Sequence, residues 1–438
     1  MKLGDVDLTD TGVFTQGVPY DYYRFLREQA PVSWTPDPVA GGGFWSITRY
    51  ADIMEVENNV EVFTSRTNLT PQPVPDSVLA ATVDRMIILS DPPRHGFLRK
   101  LIMSGFTPKA INKIEDKIRQ LAVESVDSII ESGQCDLHDM AAYMPIEVVA
   151  DLLGVPQQDR QRLFDWANAM FGGGDPEVSS HESMAKAQQE MFAYATDLAR
   201  QRRLAPGDDV FSAVAVAQDD GEHLSDVDLG CFFLILATAG NETTRTQILQ
   251  GALALIQHPE AMQVLHDDLS LIPNAVEEML RYTSPALGFA RKATQDYVLD
   301  GQAIKAGDKV LLWYCSGSRD ERVFADPDRF DIYRANAREH MAFGSKTGIH
   351  RCLGAMLARM ELHAIFTQIV TRLPDLQLAG PVSRLRSNFT NGIKHMPVSF
   401  NPGKTVNNAT GVRFYASNAA RPTACPFTGT NAAQHSSH

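Results

Sequence analysis

Residues 225–260 read SDVDLGCFFLILATAGNETTRTQILQGALALIQHPE. Ser225 and Asp228 have the spacing of an N-terminal capping box, and Pro259 marks the start of a following helix. The stretch between them predicts one helix of about thirty residues. Its apolar side chains fall on nearly every side, so it has no solvent face and belongs in the interior of a large helical protein. The middle breaks that pattern with AGNETT, residues 239–244. A glycine such as Gly240 costs about 1 kcal/mol relative to alanine inside a helix. Asn241, Glu242, Thr243 and Thr244 add polar groups that are expensive to bury unpaired. Either this turn emerges at the surface, or it is a functional site where such costs are tolerated. On the second reading Gly240 lets a flat or bulky ligand approach the backbone, while Glu242 and Thr243 supply a carboxylate and a hydroxyl for moving protons. Thr243 is also spaced to bond a carbonyl one turn back.

Outward from this helix the chain reads as mainly α with small β-sheets. FTPKAINKIEDKIRQLAVESVDSIIESG, residues 106–133, has three-and-four apolar spacing and a glycine stop, and the pattern recurs over 137–154, 158–170 and 180–203. Strand-like pieces are short: PVSWTP and GFWSITRY near the N-terminus, DYVLDGQAIKAGDKVLLWY from 296, and HMPVSF from 395. There is no internal repeat. Residues 1–402 are expected to form a single large domain, and 403–438, rich in Asn, Thr, Ala and Ser, an extended or mobile tail. The proline-rich segment 65–89 reads as a loop that gates a ligand site.

Forty basic against 53 acidic residues give a net charge of −13, which argues against sequence-independent nucleic-acid binding. The longest apolar run, residues 231–240, is shorter than the ~20 residues of a spanning helix, and the N-terminus lacks a signal-peptide core. A cytoplasmic protein with no transmembrane segment is expected. The five cysteines, Cys135, Cys231, Cys315, Cys352 and Cys425, are scattered without a C-x-x-C pair. That excludes a disulfide framework or a zinc ribbon. A working thiol here is either a nucleophile or a ligand to a metal whose other ligands come from a cofactor.

Three further groups carry chemistry. In IPNAVEEMLRYTSP, residues 272–285, Glu278 and Arg281 share one helical face. In LSDPPRHGFLRKLI, residues 89–102, His95 and Arg99 lie four apart after a Pro-Pro start, and with Arg291 and Arg329 they form a set able to clamp a dianion. In GIHRCLG, residues 348–354, Cys352 precedes a helix whose dipole favours its thiolate. Spacing alone leaves Cys352 open between a reactive ligand and an inert, small apolar residue.

Taken in order, DPPRH with Arg99, AGNETT, EMLR, RKAT, DPDRF and GIHRCLG resemble the cytochrome P-450 haem-thiolate family over nearly the whole chain to about residue 402. The resemblance implies a P-450 fold whose long central helix crosses the haem, and a haem b (iron protoporphyrin IX) with Cys352 as axial ligand to the iron. His95, Arg99, Arg291 and His350 are then partners of the propionates. Ala239, Gly240, Phe343 and Gly354 line the cofactor. Glu278, Arg281 and Arg329 match a buried triad behind the cysteine loop. Glu242 and Thr243 match the acid and alcohol that deliver protons during O–O cleavage, which a thiolate ligand promotes. One departure is visible: four residues, GSKT, separate Phe343 from Gly348, two more than in the family pattern.

The implied function is a bacterial-type monooxygenase that uses O2 as co-substrate and inserts one oxygen atom into a C–H bond of a lipophilic substrate, with a steroid or terpenoid skeleton favoured. Ile235, Ala239 and Leu287 are expected to wall the substrate site. Electrons are expected from a ferredoxin-type donor with a reductase, docking where Arg351, Arg359 and Lys346 give local positive charge, on a monomer. The alternatives are a peroxide-driven peroxygenase, which would not need Glu242 and Thr243, and a non-catalytic haem sensor or carrier, which would tolerate loss of Thr243.

Overall fold

Residues 226–257 form a single uninterrupted helix, Asp226–Gln257, in the computed structural model, which describes residues 1–37, 42–71, 74–171 and 175–406. The capping box is made: Ser225 Oγ accepts the Asp228 amide at 3.1 Å, and the Asp228 carboxylate accepts the Ser225 amide at 3.0 Å. The helix packs against Leu137–Leu152, Arg160–Phe171, His181–Leu204, Ile272–Thr283 and Ala355–Arg372. Phe233, Ala237, Ile248, Leu249 and Ala252 are among its contributions to the largest core cluster. These neighbours begin and end within a few residues of the sequence reading, because the apolar spacing is local to each; two of them also start at a side-chain cap, Asp136 accepting the His138 amide and Ser180 the Ser183 amide.

Two glycines set how closely these helices approach. A Cβ on Gly251 would lie 2.4 Å from Phe366 Cζ and 3.0 Å from Met279 Sδ, so its absence lets three helices meet. A Cβ on Gly240 would lie 2.8 Å from Val149 Cγ2. The expected reason for Gly240 therefore changes: its missing side chain is accounted for by the close approach of helix Leu137–Leu152.

The β structure is minor. A five-stranded sheet runs in the order Val32–Asp37, Gly42–Ile47, Lys309–Leu312, Phe289–Ala293, Phe63–Thr64, antiparallel except where Val310–Leu312 runs beside Trp45–Ile47. This sheet carries Arg291. Gln377–Leu378, Pro397–Ser399 and Gln134–Asp136 form a second, three-stranded sheet. Leu287, expected on the substrate wall, is instead fully buried in an N-terminal core with Phe14, Tyr23 and Trp313, where its amide donates to Phe389 O at 2.8 Å and its carbonyl accepts the Cys315 amide at 3.1 Å. The segment 65–89 is not all loop: Asp76–Thr82 is a helix. Residues 403–406 are tied to the body, with the Gly403 amide donating to Ile130 O at 2.9 Å and the Val406 amide to the Asp127 carboxylate at 3.0 Å. The rest of the expected tail, 407–438 with Cys425, lies outside the described residues. No helix among the described residues is long and apolar enough to cross a membrane.

Candidate active site

Cys352 enters the helix Ala355–Arg372 through Gly354. Its amide donates to Phe343 O at 3.0 Å, so the two ends of the loop are joined despite the added residues. The excess is taken up sideways. Gly344 adopts φ +75°, a left-handed conformation suited to glycine, and the Gly348 amide donates to Ser345 Oγ at 2.9 Å. Thr347 Oγ1 donates to Asn58 Oδ1 at 2.9 Å, and Lys346 pairs with Glu339. Phe343 lies 5.6 Å from the His340 ring and has the Arg359 guanidinium 4.6 Å from its own centroid. A Cβ on Gly354 would meet nothing nearer than Cys352 Sγ at 3.9 Å, so the backbone beside the sulfur is open to a neighbour.

Among the described cysteines Cys352 alone is exposed; Cys231 and Cys315 are buried and Cys135 half-buried. Burial pushes those three thiols up to about 11 or 12. Cys352 is also raised, by desolvation from surrounding protein, against the lowering effect of the Gly354 amide, Arg359, Arg99 and the Ala355 amide. A side chain at the floor of a concavity satisfies both facts, reachable by solvent yet flanked by protein on most sides. The expectation that the helix start alone favours the thiolate is thereby corrected: desolvation outweighs the backbone dipoles.

A basic cluster adjoins the sulfur. His95 comes from the helix Arg94–Met103, and its ring stands edge-on to His350 with centroids 4.5 Å apart. Nε2 of each is buried without a hydrogen-bond partner. Burial lowers both imidazoles, His350 to about 2 with the help of Arg291, His95 and Arg99, so both are neutral. Arg99 Nη1 donates to Ile349 O and Arg351 O at 3.2 and 3.3 Å, which binds its helix to the cysteine loop. Arg291 is buried, donates to Ala290 O at 2.8 Å and stands 3.6 Å from Glu57. Two buried imidazole nitrogens without partners each carry a desolvation penalty of about 1–3 kcal/mol. Anionic oxygens of a ligand would relieve it.

The central helix presents a second feature. Ile235, Ala239 and Thr243, four residues apart, are half-buried, as are Leu236 and Gly240, in a helix whose other mid-section residues are buried. A stripe of partial exposure within a core helix marks one side of an internal concavity. Thr243 Oγ1 donates to Ala239 O at 2.5 Å, as its spacing predicts. Glu242 does not share that face: its buried carboxylate pairs with Arg245 and accepts from Thr246 Oγ1 at 3.2 Å, while Arg245 Nη1 donates to Asn168 at 2.8 Å. Both Asn241 side-chain polar atoms are buried without partners.

Behind the cysteine loop, the triad differs from expectation in one member. Glu278 is fully buried and is bound by Arg281 Nε and Nη2 at 2.6 and 2.8 Å, by the Asp331 amide at 2.9 Å, and by Arg334 Nε at 3.1 Å. Arg329 offers only its carbonyl, which accepts from Arg281 and Arg334 at 3.1 Å; its side chain is exposed. Two arginines five apart in one irregular loop cannot be ranked by spacing. Glu277 also escaped the sequence reading. It is fully buried and binds Arg359 at 2.6 Å and His340 Nε2 at 3.1 Å. Burial would raise its carboxyl, but His340 and Arg359 outweigh that and hold it down to about 2. The Ala342 amide donates to His340 Nδ1, so the Nε2 proton of a neutral imidazole makes the bond to Glu277. Of the cations expected to form a docking patch, Arg359 and Lys346 are thus engaged, and Arg351 is exposed.

Comparison with known proteins agrees with this geometry. Residues 47–377 match the family model described as Cytochrome P450. Over 403 residues the chain is 37% identical to the steroid C26-monooxygenase of Rhodococcus jostii, covering 90% of this chain and 84% of that protein. It is 40% identical over 390 residues to the methyl-branched lipid omega-hydroxylase of Mycobacterium tuberculosis, covering 86% and 90%. The Mycobacterium marinum cytochrome P450 CYP268A2 in complex with pseudoionone superposes with a TM-score of 0.83 at 37% identity, over 91% of this chain and 99% of that one. The chain belongs to the cytochrome P450 family, and it is a haem-dependent, O2-using monooxygenase that hydroxylates lipophilic substrates.

Proposed function

We propose that this enzyme hydroxylates the terminal methyl of a methyl-branched, lipophilic chain, such as the side chain of a sterol or an isoprenoid. The reading is supported by what two relatives have in common: C26 of a steroid and the omega carbon of a branched lipid are both chain ends. The half-exposed stripe Ile235, Leu236 and Ala239 provides an apolar wall of the kind such a chain would lie against. Phe289 and Phe389, half-buried and edge-to-face at 5.3 Å, add an aromatic surface.

The residues fit haem b. Cys352 is the accessible thiol for the iron, and a coordinated thiol is deprotonated outright despite its raised pKa. His95 and His350 have unpartnered nitrogens, and Arg99 and Arg291 the charge, to hold two propionates. Phe343 with Arg359 shields the sulfur side, and Gly354 and Ala239 keep backbone near the macrocycle free of bulk. When bound, haem supplies O2 activation and transfer of one oxygen atom to carbon. Thr243 holds an exchangeable proton at the groove, now directed to Ala239 O. Glu242 reaches Thr243 only if its pairing with Arg245 opens, and Asn168 ties that motion to helix Arg160–Phe171. Electrons come from an acidic ferredoxin with its reductase, meeting the protein at the exposed Arg351 side of the cysteine loop.

The single observation that carries the site is an exposed cysteine beside two buried, unpartnered imidazoles. The experiment compares a steroid bearing a branched side chain with the same nucleus lacking it. The first is expected to shift the ferric spectrum toward high spin and to yield a terminal alcohol. Oxidation confined to ring carbons, or equal turnover of both compounds, refutes the chain-end reading.

A further inference from the structure

Glu57 is a buried carboxylate that neither the motifs nor the proton route uses. It lies one residue from the end of the helix Tyr50–Asn58. Its Oε1 accepts from Tyr314 OH and stands 3.6 Å from Arg291 Nη2. Its Oε2 accepts the Ser345 amide at 2.6 Å. Gly344 and Gly348 curl around it: a Cβ on either would come within 3.7 Å of a carboxylate oxygen. The next residue, Asn58, accepts from Thr347. The partners therefore come from the sheet strand Phe289–Ala293, from the short helix Tyr314–Gly317, and from the GSKT excursion that makes this cysteine loop longer than the family pattern.

A buried carboxylate needs such partners, because desolvation of an unpaired charge amounts to several kcal/mol. It also sets up a competition. Arg291 is one guanidinium, and a carboxylate 3.6 Å from it offsets part of its positive charge toward any other anion. We propose that Glu57 is a positioning residue that fastens the lengthened cysteine loop and, through its charge beside Arg291, tunes the reduction potential of the haem. The inference rests on Arg291 as a partner of a haem carboxylate. Removing a negative charge near the iron stabilises the form carrying the extra electron, so the potential moves positive when Glu57 is neutralised.

The test uses the haem-loaded protein, reduction potentials by spectroelectrochemistry, and hydrogen exchange of the 344–348 amides. E57Q keeps an acceptor and removes the charge; it is expected to shift the potential positive while the Ser345 amide stays protected. E57A removes both, and the Ser345 amide is expected to exchange about tenfold faster or more, on the scale of a lost bond to a charged acceptor. If E57A does not fold, E57D replaces it: the charge is kept but withdrawn by one methylene, so exchange rises with a smaller shift in potential. Wild-type potential and wild-type exchange across these variants overturn the inference. Failure of the underlying site reading is seen separately, as wild-type protein lacking the reduced-CO band for which the family is named.

Discussion

Thr243 and Cys352 are single side chains whose proposed roles depend on what each faces. Thr243 lies in the half-exposed stripe of the central helix with its hydroxyl satisfied by Ala239 O. Thr243→Ala leaves the helix intact but removes the proton-bearing group. Product formed per O2 consumed is expected to fall about tenfold or more, with peroxide appearing instead, as measured by oxygen uptake against product. Unchanged coupling would remove Thr243 from the proton route. Cys352→Ala is expected to abolish the reduced-CO band while the far-ultraviolet circular dichroism is retained, because the helix that follows is held by Leu362, Ile365, Phe366 and Ile369 in the core rather than by the thiol.

At the scale of elements, two contacts decide how the helices stand behind the site. Glu278 of helix Ile272–Thr283 is bound by Arg281 and Arg334 with no exposure of the carboxylate. Arg334→Ala leaves that charge underpaired and is expected to destabilise the fold by about 3–5 kcal/mol. Arg329→Ala removes an exposed side chain and is expected to change stability by no more than about 0.5 kcal/mol. Urea unfolding of the two variants separates the observed triad from the one suggested by spacing. Gly240→Ala gains about 1 kcal/mol of helix propensity but drives a methyl into Val149, and overpacking of about 1–3 kcal/mol is expected to prevail. Adding Val149→Ala relieves that clash, so a double-mutant cycle should return a favourable coupling of about 0.5–3 kcal/mol. Additive effects would show that Gly240 is small for another reason.

At the scale of the whole molecule, titration links distant elements to stability. Glu277 joins helix Ile272–Thr283 to Arg359 and His340, with its carboxyl held at about 2 against an ordinary 4.5. A depressed carboxyl contributes stability that is present above the unfolded value and lost as pH falls through the folded one. The melting temperature is therefore expected to drop between about pH 4.5 and 2, and Glu277→Gln should flatten that limb. His395 has the opposite sign. Its bond to Asp136 raises the imidazole above 6.5, so its contribution is present below 6.5 and lost as pH rises through the raised value. Asp136 also accepts the His138 and Met396 amides, where the three-stranded sheet meets the start of helix Leu137–Leu152. A melting curve of His395→Ala that keeps the wild-type slope above pH 6.5 would rule this out.

The sequence by itself determined the long buried helix and most of the helices around it, and the order of its motifs singled out Cys352, His95, His350, Arg99 and Arg291. These follow from local causes: apolar spacing, capping residues, and motifs whose order carries the family. Tertiary structure decided what spacing leaves open. It chose Arg334 over Arg329, brought Glu277 beneath Arg359, turned Leu287 into an N-terminal core, gave Gly240 a packing reason, and turned Glu242 toward Arg245 rather than Thr243. It also folded the two extra loop residues around Glu57, some 290 positions earlier in the chain. Periodicity says which face of an element is buried; which partner occupies that face is set by elements remote in sequence, and there desolvation and pairing choose among residues of the same type.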